Sequence, residues 1–208
     1  MKIICISDTH NKHEGLILPE ADCIIHAGDF TDAGTKQETH SFLKWYSALP
    51  YKYKILIAGN HDFYLENNKE NLKAIIPDNV YYLEDSGITI ENIKIWGSPY
   101  IPGTGNWAFL KERGKAILSH WNKIPLDTNI LITHGPPYGI LDELDDKSQL
   151  GCLNLKEKVE ALEISYHVFG HVHNEYGTVK KKKTLFINSC SLDHRQRILN
   201  APIVIISD

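Results

Sequence analysis

"KIICISDTH", residues 2–10, is an apolar run that stops at an aspartate and a histidine. The run is continuous rather than alternating, so a strand here would be covered on both faces. The same arrangement returns along the chain in "DCIIHAGD" (22–29), "KILIAGNHD" (54–62), "NILITHG" (129–135) and "YHVFGHVH" (166–173). Each run ends in side chains that offer oxygen or nitrogen: Asp8 and His10, Asp29, Asn60 with His61 and Asp62, His134, and His171 with His173. In open α/β sheets, sites form in the crevice outside the carboxyl ends of the strands. If the strands run mainly parallel, all these ends meet in one crevice.

Other strand-like runs follow the same composition: "YYL", "ITI", "IKIWG", "TLFIN" and "PIVIIS". Helical candidates lie between them. "TKQETHSFLKWYSALP" opens on Thr35 with Glu38 three positions on, a capping box, and closes at Pro50. "NLKEKVEALE" repeats the device with Asn154 and Glu157, and "YLENNKENLKAII" and "WAFLKERGKAILSHW" read as two more helices, the last weakened by Gly114. Strands and helices in this order give an α/β layered domain over residues 1–208, with one mixed sheet or two packed sheets flanked by helices.

Composition sets limits on function. At 208 residues the chain can hold one domain with a large core. Its net charge of −4 does not suit a general nucleic-acid binder. Lys180 to Lys183 reads as a solvated hairpin turn, the other reading being a phosphate-contacting patch. The four cysteines, Cys5, Cys23, Cys152 and Cys190, form no Cys-x-x-Cys pair, and Cys5 and Cys23 sit in apolar runs as small hydrophobes. That is reduced-compartment usage. No apolar stretch is long enough for a membrane span or signal peptide, so a cytoplasmic location is expected.

The donor set limits the cofactor. Two carboxylates (Asp8, Asp29), a carboxamide (Asn60) and four imidazoles (His10, His134, His171, His173) make seven ligands without a thiolate. A closed structural zinc site commonly uses four, with cysteine among them. Seven mixed donors suit two divalent ions sharing a carboxylate. Mn²⁺ comes first, with Fe or Zn as alternatives. Two ions roughly 3.5–4 Å apart can bridge and activate a water and neutralise phosphoryl charge for in-line attack. Taken singly, each residue has a plainer role. A histidine is commonly structural or exposed, and Asp29 and Asn60 each follow a glycine, as turn residues do. The five strand ends together carry the metal reading. His26 reads as a core histidine. His40, His120 and His167 read as partly exposed, and His13 and His194 as loop residues.

These blocks, Asp8-x-His10, Gly28-Asp29, Gly59-Asn60-His61-Asp62, His134 and Gly170-His171-x-His173, resemble the calcineurin-like metallophosphoesterase motif set, in order and over nearly the whole chain. "HAGDFTDAGT", "ILITHGPPYGILD" and "HVFGHVHNEYG" followed by "FINSCS" are similar to the metallophosphodiesterase subgroup with its mammalian 239-type members and bacterial relatives. Some of those have glycine at a motif histidine; here His171 and His173 are both present.

The resemblance implies a four-layer αββα sandwich of two mixed sheets flanked by helices. It implies that Asp8, His10 and His173 bind one metal, that Asn60, His134 and His171 bind the other, and that Asp29 bridges them. His61 would sit beside the substrate as hydrogen-bond donor or general acid, and Asp62 would orient it. Gly170 would free the backbone to turn. One departure bears on substrate. The protein phosphatases of this superfamily carry Gly-Asp-x-x-Asp-Arg-Gly, and here Ala33 holds the arginine position. Without that bidentate donor a singly charged small phosphodiester, such as a cyclic or linear nucleotide, is the better substrate. The alternatives are a phosphomonoesterase or broad phosphatase, a nuclease on the same scaffold, and a non-catalytic scaffold protein. In "GSPYIPGTGNWAF", Tyr100, Asn106 and Trp107 are the candidate substrate contacts, unless Trp107 packs the start of a following helix. No membrane contact and no stable nucleic-acid binding are expected, and the resemblance admits a homodimer.

Overall fold

The apolar runs are strands, and those that end in candidate ligands all point their carboxyl ends the same way within their sheets. A computed structural model describes residues 1–197 and 200–207. In chain order the strands are β1 (Lys2–Ile6), β2 (Cys23–Ala27), β3 (Tyr53–Ile57), β4 (Tyr81–Tyr82), β5 (Ser86–Ile90), β6 (Ile93–Ser98), β7 (Ile101–Pro102), β8 (Leu110–Lys111), β9 (Ile130–Thr133), β10 (Tyr166–Phe169), β11 (Gly177–Lys181), β12 (Thr184–Asn188) and β13 (Ile203–Ile206). One sheet has the order β13-β1-β2-β3-β4, with β1 to β4 parallel and β13 antiparallel at its edge. The other has the order β11-β12-β10-β9-β6-β5, parallel in the middle and antiparallel at both edges.

The strand period of two divides the apolar residues between two layers. Ile3, Cys5, Cys23, Ile25, Ile55 and Ile57 of the first sheet pack with Ile130, Ile132, Val168 and Ile187 of the second, filling the space between the sheets. Their neighbours Ile4, Ile6, Ile24 and Leu56, with Leu131, Phe169 and Phe186, face outward into a second cluster with the helices. Each buried isoleucine contributes about 1.5–3 kcal/mol, so both faces must be covered. The helix α1 (Lys36–Ala48) covers the first sheet with Phe42, Leu43 and Tyr46. The Tyr46 hydroxyl donates to the carbonyls of Ile24 and Ile55, at 3.1 and 2.7 Å. After α2 (Phe63–Asn67) and α3 (Leu72–Ile75) come α4 (Lys115–Trp121) and α5 (Leu153–Glu160), which bring Ile117, Trp121, Leu155 and Val159 to the same outer cluster as Leu131 and Phe169. The two mixed sheets flanked by helices are the αββα arrangement expected. Among the described residues no helix is long and apolar enough to cross a membrane.

Local expectations fared unevenly. The capping box at Thr35 is formed in both directions: the hydroxyl accepts from the Glu38 N–H at 3.2 Å, and the Glu38 carboxylate accepts from the Thr35 N–H at 2.8 Å. Asn154 does not cap α5. That helix starts two residues earlier, at Leu153 after a Cys152 cap, and Cys152 is fixed by main-chain bonds to Pro136 and Tyr138. Residues 107–121 are not one helix. Phe109 and Gly114 adopt left-handed backbone (φ +55° and +87°), β8 pairs with β7, and α4 begins only after Gly114. The 64–76 stretch breaks at Asn68, whose side chain turns back to the Tyr64 carbonyl at 2.8 Å. Lys182 and Lys183 do form the turn of the β11–β12 hairpin. His120 and His167 are buried, not partly exposed, as is His13, which packs on Phe42 and Trp45.

Thr35→Ala removes the hydroxyl half of the capping box and should cost about 1 kcal/mol, read as a lower urea midpoint with an unchanged slope. An unshifted midpoint would show the cap to be energetically silent.

Candidate metal centre

The strand ends converge because β1, β2 and β3 are adjacent and parallel in one sheet, while β9 and β10 are adjacent and parallel in the other. Asp8 and His10 follow β1, Asp29 follows β2, Asn60 to Asp62 follow β3, His134 follows β9, and His171 and His173 follow β10. The turns that aim them are tight. Asp8, His10, Asp29 and His171 all have positive φ, of +50°, +37°, +54° and +69°. L-residues rarely adopt this conformation, and its clustering marks a functional site. It is His171 and not Gly170 that turns the backbone. Gly170 is needed for space, since a Cβ there would collide with the Asp8 carboxylate and the Ser7 hydroxyl.

The expected ligands fall into two groups, and His10 with Asp32 and His61 forms a third. Ligand atoms of Asp8, His10 and His173 lie within 4.8 Å of one another, as do those of Asp29, His134 and His171. Asn60 joins the second group, with Oδ1 2.9 Å from His134 Nε2. Asp29 Oδ2 stands between the groups, 3.2 Å from His134 Nε2 and 4.0 Å from His10 Nε2. Three imidazoles are held alike. Nδ1 donates to a main-chain carbonyl, Thr31 for His10 at 3.0 Å, Ala27 for His134 at 2.9 Å and Leu192 for His173 at 3.1 Å. This fixes the tautomer and leaves Nε2 as the ligand nitrogen, the usual support of metal-binding histidines. The donor set could hold two cations in the way the resemblance implies, with Asp8, His10 and His173 on one, Asn60, His134 and His171 on the other, and Asp29 shared.

Charge balance supports the same reading. Burial opposes ionisation of Asp29, but the charge and hydrogen bond of His134 outweigh it and hold the carboxyl well below its usual range. Burial likewise works against a charged His134, yet Asp29 raises it to about 9. Burial lowers His10, and lowers His171 to about 4, so both rings are neutral at neutral pH. Nε2 of His134 faces two oxygens, Asn60 Oδ1 and Asp29 Oδ2, an arrangement that needs a positive charge between the three atoms.

His61 and Asp62 part company. The His61 ring donates from Nδ1 to the Asp32 carbonyl at 2.6 Å. The expectation that Asp62 orients this ring is corrected, because the Asp62 carboxylate faces the other way. It accepts from the N–H groups of Asp29 (2.9 Å), Thr31 (3.0 Å) and Gly59 (2.7 Å), and from the Thr31 hydroxyl (2.7 Å). Asp62 thus ties the β2 loop to the β3 loop. Burial, and then the Asp29 carboxylate, push it up to about 7 against these donors.

Above the two groups lies a cleft lined by Asp29, Asn60, His61, His171 and His173, with Ile101, Pro102, Thr104, Trp107 and Leu110 on one side. Trp107 is 52 % exposed and its ring centre is 4.6 Å from that of His61. It does not pack a following helix, since none starts there. Asn106 is exposed in the same loop but is not among the lining residues. Tyr100 is buried against His120 and bonded to Glu84 and Lys69, which removes it from the cleft. Past His61 and His173 a second basin adds Leu144, Asn174, His194 and Gln196. Of these, His194 was visible in the sequence only as a loop histidine, and the others carried no signal.

The proton on His134 has a measurable consequence. A cation must displace it wherever the pH lies below about 9. Mn²⁺ uptake by chelator-treated protein should tighten about tenfold per pH unit from pH 6 to 9 for one of the two ions, with release of about one proton, and level off above. Titration calorimetry in buffers of different ionisation enthalpy reads both; pH-independent uptake would contradict the assignment.

Comparison with known proteins agrees with this geometry. The chain is 38% identical over 229 residues to the human "Metallophosphoesterase domain-containing protein 1", covering 98% of this chain and 70% of that one. It is 27% identical over 224 residues to the "Probable glycerophosphodiester phosphodiesterase GpdQ" of Arcobacter nitrofigilis, covering 94% and 80%. The crystal structure of the phosphopantetheinyl hydrolase PptH from Mycobacterium tuberculosis shares the fold, with a TM-score of 0.61 at 14% identity over 94% of this chain and 90% of that one. Residues 1–175 match the family model for calcineurin-like phosphoesterases. The chain belongs to that family of phosphoester hydrolases, which bind dinuclear metal ions, and the Asp8 and Asp29 groups are its candidate metal sites.

Proposed function

We propose that the protein is a dinuclear-metal phosphodiesterase acting on small diesters, with a nucleotide or other aryl-bearing diester as the substrate class. One observation carries this reading. The cleft opens to two basins that share His61, His171 and His173, and neither has a lysine or arginine among its described lining residues. A diester has two substituents to place and one negative charge to balance, whereas a monoester dianion gains from an added cationic donor. The position where the related protein phosphatases have arginine is Ala33, whose N–H here serves only the Glu38 carboxylate at 3.2 Å. The relative named as a glycerophosphodiester phosphodiesterase supports the same direction.

The residues divide the work. Asp8, His10, Asn60, His134, His171, His173 and the shared Asp29 would hold two divalent ions, Mn²⁺ by preference and Fe or Zn as alternatives. When bound, such a pair supplies an activated water and neutralises charge on the phosphoryl oxygens. His61 has Nδ1 committed to the Asp32 carbonyl, so Nε2 is the nitrogen that holds a proton for the leaving oxygen. Trp107 offers a ring face on which an aromatic substituent stacks beside His61. Four buried, unpaired cysteines support a reducing, cytoplasmic setting.

With Mn²⁺ present, kcat/KM for bis(p-nitrophenyl) phosphate should exceed that for p-nitrophenyl phosphate by roughly tenfold or more, about 1.4 kcal/mol of discrimination. A preference for the monoester overturns the diesterase reading, and hydrolysis of neither would favour a scaffold role. His61→Ala should lower kcat by about 10²-fold or more at unchanged metal content. Loss of metal in that variant, seen by elemental analysis, would move His61 into the ligand set.

A further inference from the structure

Cys190 lies in the segment that continues past β12, bridged in parallel fashion to Ser7 at the end of β1. The bridge is closed by two main-chain bonds of 2.9 Å, Ser7 N–H to the Ser189 carbonyl and Ser191 N–H to the Ser7 carbonyl. It sets the Cys190 Sγ 3.2 Å from Asp8 Oδ2, with both side chains fully buried. The two oxygens of Asp8 then differ. Oδ1 faces His173 Nε2 at 3.6 Å, on the side of the first donor group. Oδ2 faces the thiol and the Gly170 backbone. The His171 N–H reaches both oxygens, at 3.1 and 3.0 Å, and does not by itself choose between them.

We propose that Cys190 is a positioning residue for the first metal site: its thiol donates to Asp8 Oδ2 and so presents Oδ1 alone to the cation. A thiol is a weak donor, but a fully buried carboxylate oxygen depends on the few donors that reach it. Removing it lets the carboxylate rotate and loosens one ligand of one ion. Outer-sphere partners of this kind are commonly worth 10–100-fold in metal affinity. The proposal rests on Asp8 being a metal ligand, as the proposed function requires.

The test is calorimetric titration of Mn²⁺ into chelator-treated wild type, Cys190→Ala and Cys190→Ser, with His173→Ala marking the step that belongs to the first site. Cys190→Ala should weaken that step by about 10–100-fold and the other by less than about threefold, while Cys190→Ser, which keeps a donor, restores most of the loss. An unchanged first step, or a serine variant as impaired as the alanine one, overturns the role of Cys190. Wild type that binds no ion overturns the metal centre itself, a distinguishable result. An independent reading needs no alanine variant: the infrared S–H band lost in Cys190→Ser should lie at lower frequency than those of the other buried thiols. A band that coincides with theirs would show that the thiol does not donate, and the proposal would fail.

Discussion

Everything at the centre depends on one buried carboxylate having its charge answered from both sheets. Asp29 belongs to the first sheet by sequence, yet the partner that most lowers its pKa is His134 of the second. An isolated carboxylate at 2 % exposure would be neutral or would unfold its surroundings. The fold answers with the His134 imidazole at 3.2 Å and the His61 N–H donating to Asp29 Oδ1 at 2.7 Å. Two sheets packed face to face place such groups opposite each other only where their strand ends meet. The inter-sheet isoleucines set the spacing, and the carboxylate sets what chemistry the spacing can hold.

That demand explains the backbone. To bring ligand atoms of each donor group within 4.8 Å of one another, each chain must turn sharply as it leaves its strand. Four of the seven candidate ligand positions do so in left-handed conformation, and nearby glycines supply clearance. A Cβ on Gly28 would lie 2.6 Å from the Ala58 carbonyl oxygen and 2.7 Å from His134 Nδ1. A Cβ on Gly59 would lie 2.7 Å from His134 Cε1. Strain at ligands and crowding at glycines are two effects of one close approach. Asp62 holds the approach together, collecting donors from Asp29, Thr31 and Gly59 so that the β2 and β3 loops move as one. It acts on the metal centre through these loops and not through His61.

The strand-end candidates were legible because each closely follows a continuous apolar run, with a glycine just before the donor at Asp29, Asn60 and His171. The runs alone left one mixed sheet or two packed sheets open, and the family resemblance is what pointed to two; the structure has two. What could not be read depends on contacts distant in sequence. The Asp62 carboxylate is as near to His61 as a neighbour can be, and sequence adjacency suggested a partnership; the chain turns and gives it to residues about thirty positions away. Residues 107–121 carry a helical pattern, but pairing of β8 with β7 and the left-handed Phe109 take half of it. Asn154 failed as a cap because Cys152 was fixed from across the loop by Pro136 and Tyr138.

The segment after residue 175 shows where the motif set stops describing the site. The family match ends there, yet residues 188–196 hold the first donor group from behind. Carbonyls of Leu192 and Asp193 receive the His173 ring at 3.1 and 3.3 Å, the Asn188 amide donates to the Val172 carbonyl at 2.8 Å, and Gln196 donates to Asp32 at 3.1 Å. None of these residues is a ligand, and half of the contacts are made by backbone, which any side chain can supply. The path is fixed by parallel pairing beside β1, so the far end of the chain completes a centre begun at residue 8. Among the described residues the second donor group has no comparable support from this segment: its His134 is held by Ala27 at the core of the sheets. The two halves of the centre are therefore braced differently, the second by the sandwich and the first by a late-arriving strap.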